Sequence, residues 1–201
     1  KLVNVFKRTK GGGVILAFLI IVAFAALRSP YFLSAYNLQA LTRSLAFVGI
    51  IALGQACLLL IGELDLSVGT LAGFCGVIGG VLMVNLGYNP WLAFALCLLL
   101  GAGCGFFNGT LVARLNLNSL VVTVGMSGIY TGLNLAISEG RAITGIPRVI
   151  YFLGQGDVAG IPAPFVIMLG VAVLVLILSQ YTLFGRYMYA VGNNREAARI
   201  L

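Results

Sequence analysis

Two carboxylates, Glu63 and Asp65, stand close together in a polar break between two long apolar segments, which reads Gly62-Glu63-Leu64-Asp65-Leu66-Ser67. One interpretation is structural: Asp65 or Ser67 caps the helix that follows, because a carboxylate or hydroxyl suits the positive end of a helix. The other is functional. Irregular backbone between apolar helices is tolerated where it lines a water-filled cavity, so Glu63, Asp65 and Ser67 are candidates for the wall of a translocation path.

Four uncharged polar residues lie inside the apolar segments that follow: Asn108, Thr123, Ser127 and Asn134. In membrane helices such side chains bond to neighbouring helices, each bond contributing about 0.6 kcal/mol on average. The alternative is that they line a path for a neutral, hydroxyl-rich solute. No apolar segment carries a charge at its middle, which argues against a proton pump or an ion carrier. The candidate path residues are therefore Glu63, Asp65, Ser67, Asn108, Thr123 and Asn134.

The residue types needed for several kinds of catalysis are missing from the sequence. It contains no histidine, which excludes histidine metal sites, histidine proton relays, and Ser-His-Asp or Cys-His catalysis. No GxxxxGK[ST] phosphate-binding loop occurs. We predict no catalytic residue, no metal site and no bound cofactor. If ATP drives this protein, another chain must hydrolyse it. Cysteine inside apolar segments acts as a small hydrophobic residue, and we expect no disulfide among Cys57, Cys75, Cys97 and Cys104.

The last segment, Gly185–Leu201, is unusually polar for this sequence and reads GRYMYAVGNNREAARIL. Asn193 stands three residues before Glu196, the spacing at which a capping side chain and the third helical residue bond each other's backbone. We therefore predict a short amphipathic helix over about Asn194–Leu201 at the membrane surface. It is either a basic anchor beside anionic lipid headgroups or a docking helix for a partner protein, to which two adjacent alanines would allow close approach.

The chain that must position these residues is 61% hydrophobic and 8% charged, with a mean hydropathy of +1.09. Soluble domains are about half apolar and about a quarter charged, so the composition predicts a membrane protein. Runs of roughly 17 or more apolar residues are long enough to cross a bilayer as helices. We predict an all-α, polytopic transmembrane helical bundle, a single domain over residues 1–201, with about six spans near residues 11–27, 45–61, 68–86, 91–112, 120–137 and 164–178.

Basic residues are concentrated near the ends of the predicted spans, and the net charge is +7. A basic lead with Lys7, Arg8 and Lys10 places the N-terminus in the cytoplasm by the positive-inside rule. Six crossings then place the tail inside, with eight basic residues inside and four outside. The positive charge therefore indicates membrane lipid, and not nucleic acid, as its partner. A short amphipathic helix over Asn37–Leu41 is predicted on the outer surface.

Three predicted spans carry glycines at helical spacing. Such ridges allow the backbones of neighbouring helices to approach closely, and they predict tight packing of the bundle. The ridges are Gly69, Gly73, Gly76 and Gly80 in the third span, Gly101, Gly105 and Gly109 in the fourth, and Gly125, Gly128 and Gly132 in the fifth.

Three stretches together resemble one known family. The sequence Gly62–Gly69 resembles the D-L-S-V-G signature of the sugar-type permease subunits of bacterial ABC importers, which serve ribose, galactoside, xylose and autoinducer uptake. Asn108-Gly109 resembles that family's Asn-Gly before a cytoplasmic turn. The sequence from Gly185 to Ala198 is similar to the family's GRxxYAxGxNxxAA stretch. The resemblance runs from about Pro30 to Leu201.

The resemblance implies a fold like the N-terminal part of a type II ABC importer permease, with further spans expected after Leu201. It implies ATP-driven import of a sugar or sugar-like neutral solute across the bacterial cytoplasmic (inner) membrane. The implied partners are a separate ABC ATPase subunit that binds ATP and Mg, a periplasmic solute-binding protein, and a second permease copy or paralogue. The cytoplasmic coupling segment that docks on the ATPase would lie within 185–201 and include Gly192, Asn193, Asn194, Glu196, Ala197 and Ala198.

Other functions stay open. Asn118–Gly125 matches the family's Pro-Phe-Ile-x-Thr-Leu-Gly only in its Thr and Gly, which leaves the solute open. A branched-chain amino acid or nucleoside ABC permease is one alternative, although a charged cargo should need a partner charge and the spans offer only Glu63 and Asp65. A non-transporting membrane scaffold is an alternative of another class. It predicts a dry bundle in which every Asn and Thr is bonded between helices.

Overall fold

The computed structural model describes residues 12–195 and residue 198. Within these residues, five helical segments are at least 18 residues long and apolar enough to cross a membrane, one of them being Val68–Asn85, and a shorter apolar helix precedes them. The predicted all-α, multi-pass membrane fold with about six spans is therefore confirmed. The helices are α1 (Gly12–Arg28), α2 (Ala35–Leu60), α3 (Val68–Gly80), α4 (Pro90–Leu115), α5 (Ser119–Ser138), α6 (Arg148–Gln155), α7 (Ala163–Tyr181) and α8 (Leu183–Asn193), and a short hairpin, β1 (Asp157–Val158) and β2 (Ile161–Pro162), lies between α6 and α7.

The chain divides into two compact units after Leu45, and in the first of them Ser34 starts α2. The N–H of Asn37 donates to Ser34 Oγ (3.3 Å), and the Asn37 side chain donates to the Phe32 carbonyl (2.7 Å). Asn37–Leu41 therefore belongs to the first turns of α2, and the prediction of a separate surface helix is wrong. Because Ser34 caps the helix and no proline interrupts it, α2 runs on unbroken to Leu60.

In the second unit α3, α4 and α5 all contact one another, and α3 has the most extensive contacts with the other two. Phe74 of α3 stacks on Tyr130 of α5, with ring centroids 5.8 Å apart and planes 15° from parallel. Asn89 and Asn118 start α4 and α5, because each side-chain oxygen accepts a hydrogen bond from the backbone N–H two residues later (2.9 Å in both cases). These caps fix where α4 and α5 begin, and hence which of their faces meet α3.

Two features of the second unit do not follow from the hydropathy pattern. Helix α3 ends in one π-helical turn, Val81–Asn85, after which the N–H of Leu86 donates to the Val81 carbonyl (3.1 Å). The polar connection between α5 and α7 contains α6 and the hairpin, in which Val158 pairs with Ile161. Neither was predicted. A short π turn and a two-residue hairpin leave no hydrophobic periodicity, whereas α6 has one apolar face at helical spacing and was open to inference.

The predicted glycine ridges are mostly not sites of close helix packing within the described residues. Of their ten glycines, seven have open space where a Cβ would lie, so the prediction is wrong for those seven. Helical spacing identifies a common face but not the face that meets a neighbour. The three glycines with a neighbouring side chain within 4 Å of that position are Gly73, Gly80 and Gly101.

A glycine permits the turn between α7 and α8. The Thr182 hydroxyl accepts a hydrogen bond from the N–H of Gly185 (3.3 Å) and caps α8. A Cβ on Gly185 would overlap the carbonyl group of Ser179 near the end of α7. The two helices can therefore join through a single intervening residue only if position 185 has no side chain.

Gly185→Ala should destabilise this turn, because the added methyl group must displace the backbone of α7. We expect the free energy of unfolding to fall by about 1–3 kcal/mol, the usual range for overpacking. The measurement is denaturant unfolding of the purified protein in micelles, followed by circular dichroism. Gly170→Ala is the matched control, since Gly170 of α7 has no neighbour within 4 Å of its Cβ position. Equal stability of the two variants would contradict the close approach at Gly185.

Candidate functional site

The polar break between α2 and α3 keeps its backbone hydrogen bonds inside the protein. Gly62, with φ of +79°, lets the chain leave the helix, and the N–H of Glu63 donates to the Leu58 carbonyl (3.0 Å). Asp65 Oδ1 accepts hydrogen bonds from the N–H of Ser67 (2.7 Å) and from its hydroxyl (2.6 Å). Of the two predicted caps, Asp65 provides the bonds, whereas Ser67 occupies the N-cap position without a capping side-chain bond.

Side chains of α2 and α5 bond other backbone groups of the break. Gln55 of α2 bonds both backbone groups of Asp65: its Nε2 donates to the carbonyl, and its Oε1 accepts from the N–H (3.4 Å). Thr123 Oγ1 of α5 accepts from the N–H of Leu66 (3.2 Å) and donates to the Ser119 carbonyl (2.8 Å). The break is thereby fixed to a helix on each side.

A chain of buried hydrogen bonds joins α3, α4 and α5 next to the break. The Tyr130 hydroxyl donates to Asn108 Oδ1 (3.5 Å), and Asn108 Nδ2 donates to Ser67 Oγ (3.2 Å), which in turn donates to Asp65. The exposed fractions are 2% for Tyr130, 3% for Asn108 and 0% for Ser67. Because these polar groups are withdrawn from solvent, their mutual hydrogen bonds avoid the large cost of burying unpaired groups.

A cavity of about 280 Å³ opens beside the break. Four of the six candidate path residues line it: Glu63, Asp65, Asn108 and Thr123. Ser67 bonds two of these four and so stands directly behind the wall. The structure thus brings five of the six candidates together around one space.

Asn134, the sixth candidate, does not line this cavity. Its Nδ2 lies 3.3 Å from the position that a Cβ on Gly73 would take. Its Oδ1 is buried and has no hydrogen-bond partner within the described part of the chain. Ser127, about two helical turns earlier on α5, accepts a hydrogen bond from Thr70 Oγ1 (3.2 Å) of α3. The polar face of α5 is therefore turned towards α3 along much of its length.

The end of α8 packs on the end of α2. A Cβ on Gly192 would overlap the Leu60 carbonyl oxygen, so the two backbones are in direct contact. Two residues beyond α8, Arg195 forms an ion pair with Glu63 (Nη1 to Oε1, 3.2 Å). The side chains are 59% and 16% exposed, respectively, and both residues line the cavity. The tail of the described chain is therefore tied directly to the cavity wall.

The capping residue predicted for the tail helix is wrong, whereas most of the predicted helix lies outside the described residues. Asn193 is the last residue of α8 and Asn194 follows as its C-cap, so Asn193 does not cap a new helix. Thr182 instead starts a helix of 11 residues that ends here, and the N–H of Ala198 donates to the Asn194 carbonyl (3.0 Å). The coupling candidates Glu196 and Ala197, with residues 199–201 of the predicted helix, lie outside the described residues.

The sequence did not predict three participants in this site: Gln55, Tyr130 and Arg195. Tyr130 follows Thr123 by seven residues, a spacing that places both on one face of α5, so its position was open to inference. The pairing of Gln55 with Asp65 and of Arg195 with Glu63 depends on how the helices meet, and no local pattern encodes it.

Comparison with known proteins identifies the family. Residues 37–201 match the family described as "Branched-chain amino acid transport system / permease component". The chain belongs to this permease family. The resemblance to the permease subunits of importers is therefore confirmed, and it agrees with the several apolar helices long enough to cross a membrane.

Several members of known name resemble the chain throughout its length. The L-arabinose ABC transporter permease protein AraH of Azospirillum brasilense is 34% identical over 195 residues, which cover 97% of this chain and 57% of that permease. The autoinducer 2 import system permease protein LsrC of Yersinia enterocolitica is 36% identical over 189 residues, covering 92% and 52%. LsrC of Salmonella typhimurium is 35% identical over 187 residues, covering 93% and 54%. The chain thus spans about half the length of these permeases. No solved structure matches it.

Asn108→Ala should destabilise the permease, because it leaves Ser67 and Tyr130 without the amide that joins them. We expect the free energy of unfolding to fall by about 1–3 kcal/mol, the cost of leaving buried polar groups unpaired. Denaturant unfolding in micelles measures it. Thr110→Ala is the control on the same helix, since the Thr110 hydroxyl is exposed and bonds only the Phe106 carbonyl one turn away (2.8 Å). If both variants lose the same stability, the buried chain does not hold the helices together.

Proposed function

We propose that the chain is the membrane-spanning permease part of an ATP-driven importer for a sugar or sugar-like neutral solute. Its spans form one transmembrane domain in the bacterial cytoplasmic membrane, with the N-terminus in the cytoplasm. A separate ABC ATPase subunit binds ATP and Mg, a periplasmic solute-binding protein delivers the solute, and a second permease copy or paralogue completes the complex. Similarity to permeases named for L-arabinose and autoinducer 2 import supports this solute class.

The observation that carries the proposal is the packing of the tail on the cavity wall. Gly192 contacts the Leu60 carbonyl at the end of α2, and Glu63 follows three residues later. A displacement of the tail must therefore move the start of the break. In the proposed mechanism the ATPase moves the coupling segment, whose residues are Gly192, Asn193, Asn194, Glu196, Ala197 and Ala198.

The proposed translocation path follows the break and the polar face of α5. Its residues are Glu63, Asp65, Ser67, Asn108, Thr123 and Asn134. Uncharged hydroxyl groups of a solute can exchange hydrogen bonds with the carboxylate and amide groups at the cavity wall. Among the described residues, the cation that lines the cavity is Arg195, which is paired with Glu63, so a solute carboxylate would meet no unpaired positive group from this part of the chain. This charge balance favours a neutral solute.

A branched-chain amino acid importer is the second candidate, and the description of the matching family favours it. Its solute carries an ammonium group, for which Asp65 at the cavity wall offers a counter-charge. Its carboxylate would have to displace Glu63 from Arg195. The two candidates therefore differ in whether the ion pair must open for the solute to bind.

Uptake by the reconstituted complex tests the proposal. The full-length permease, its ATPase and its binding protein are placed in proteoliposomes, and labelled L-arabinose or leucine is supplied with and without ATP. We expect ATP-dependent accumulation of the sugar and none of leucine. Accumulation of leucine would favour the second candidate. Failure of the permease to co-purify with any ATPase would indicate a scaffold and contradict both.

Gly192→Ala should uncouple the importer, because the methyl group forces α8 away from the end of α2. We expect uptake to fall by roughly 5- to 150-fold, the usual size of a coupling between sites, with an unchanged amount of permease in the membrane. Gly154→Ala is the control, since Gly154 of α6 has no neighbour within 4 Å of its Cβ position, and its uptake should match the parent protein. Normal uptake by Gly192→Ala would show that the contact does not transmit motion.

A further inference from the structure

The two halves of the break are held by different kinds of contact. The second half, from Asp65 to Ser67, is held by neutral and largely buried partners on three helices: Gln55, Thr123 and Asn108. The first half is held by backbone bonds to the end of α2, such as that from the N–H of Glu63 to the Leu58 carbonyl (3.0 Å), and by few side-chain contacts. The N–H of Leu64 reaches Ser119 Oγ at 3.5 Å, and the Glu63 side chain reaches Arg195.

Arg195 lies outside the helices, two residues beyond Asn193, the last residue of α8. Asn194 between them is extended, with φ of −158° and ψ of 107°. More than half of the Arg195 side chain is exposed, whereas the Glu63 side chain is largely covered. Separation of the pair would thus return the guanidinium to water but leave the carboxylate at the cavity wall.

An unpaired carboxylate in a confined site must be hydrated or lose its charge. Glu63 lines the cavity together with Leu64 and Arg195. When Arg195 leaves this wall, a bulky side chain is removed and the unpaired Glu63 carboxylate attracts water. The opening of the cavity and its hydration therefore depend on the same contact.

We propose that the Glu63–Arg195 ion pair is a gate latch: it closes the cavity on the side of the coupling segment, and displacement of that segment separates the pair and admits water to the cavity. This inference rests on the proposed function, in which an ATPase moves the coupling segment. It adds to that proposal the two positioning residues through which the movement reaches the cavity. Asp65, Ser67 and Asn108 stay in place during the step and keep the rest of the wall intact.

Charge reversal in the complete transporter tests the latch. Solute molecules transported per ATP hydrolysed are measured for Glu63→Arg, for Arg195→Glu and for the double reversal. We expect each single reversal to lower this ratio at least about five-fold, the lower limit of typical coupling between sites, and the double reversal to restore most of it. Arg195→Lys keeps the charge and should stay near the parent value. Single reversals without effect, or a double reversal no better than either single one, would overturn the latch.

A second measurement is independent of transport. Ile61→Cys, at a half-buried position of the cavity wall, is placed in a background with Cys57, Cys75, Cys97 and Cys104 replaced by serine and labelled with a hydrophilic maleimide. We expect faster labelling when Arg195→Glu is added, and the parent rate again in the double reversal. Equal rates in all three would overturn the latch even if transport could not be assayed. Conversely, a parent complex that transports no solute but shows these rate changes would reject the proposed function and keep the latch.

Discussion

Backbone that leaves helical geometry within a membrane protein must bond to other protein groups, and this constraint organises the structure around residues 62–67. Where water is excluded, each unpaired amide or carbonyl costs several kcal/mol. Here Gln55, Thr123 and the carboxylate of Asp65 bond the amides of the break. These side chains come from α2, from α5 and from the break itself. The hydrogen bonds that pair the backbone of the break therefore also hold the neighbouring helices in place.

The structural and functional interpretations of the polar residues are consequently not exclusive. Asp65 bonds the start of α3 through one oxygen and still lines the cavity. Asn108 is almost fully buried in the chain from Tyr130 to Ser67, yet it too forms part of the cavity wall. The proposed path has a rigid wall here, since Asp65 and Asn108 are each held by hydrogen bonds to neighbouring protein groups. Rigid, oriented polar groups are what selective binding of a hydroxyl-rich solute requires, because they need no reordering when the solute arrives.

The spans were predictable because hydropathy is a local property: a run of apolar residues long enough to cross lipid forms a helix whatever its neighbours are. The ends of the helices were harder to predict than the spans. Asn37 and Gln39 are polar, yet they belong to α2, which begins after its capping residue Ser34. Glu63, Asp65, Ser67, Asn108 and Thr123 stood out because polar groups are expensive in an apolar chain, and the fold brings them together. The pairing of Glu63 with Arg195 and the open faces of most ridge glycines depend on helix rotation and approach, which no spacing within one segment determines.

The free energies of ion pairs explain why a half-exposed pair, and not a buried one, suits a contact that must open. An ion pair with one largely exposed member contributes only about 0.2–1 kcal/mol, far less than a fully buried pair, whose breaking costs about 3–5 kcal/mol. Because Arg195 is largely exposed, the ion pair separates at low cost in free energy. Because Glu63 is largely covered, its separation leaves an unpaired carboxylate at the cavity wall, which must be hydrated. Arginine suits this role because its guanidinium is weakly hydrated and stays charged whether paired or free. A contact that opens during the transport cycle needs a charged partner that water can hydrate once it is released. A contact that stays closed needs neutral, buried partners such as those that hold Asp65 and Ser67.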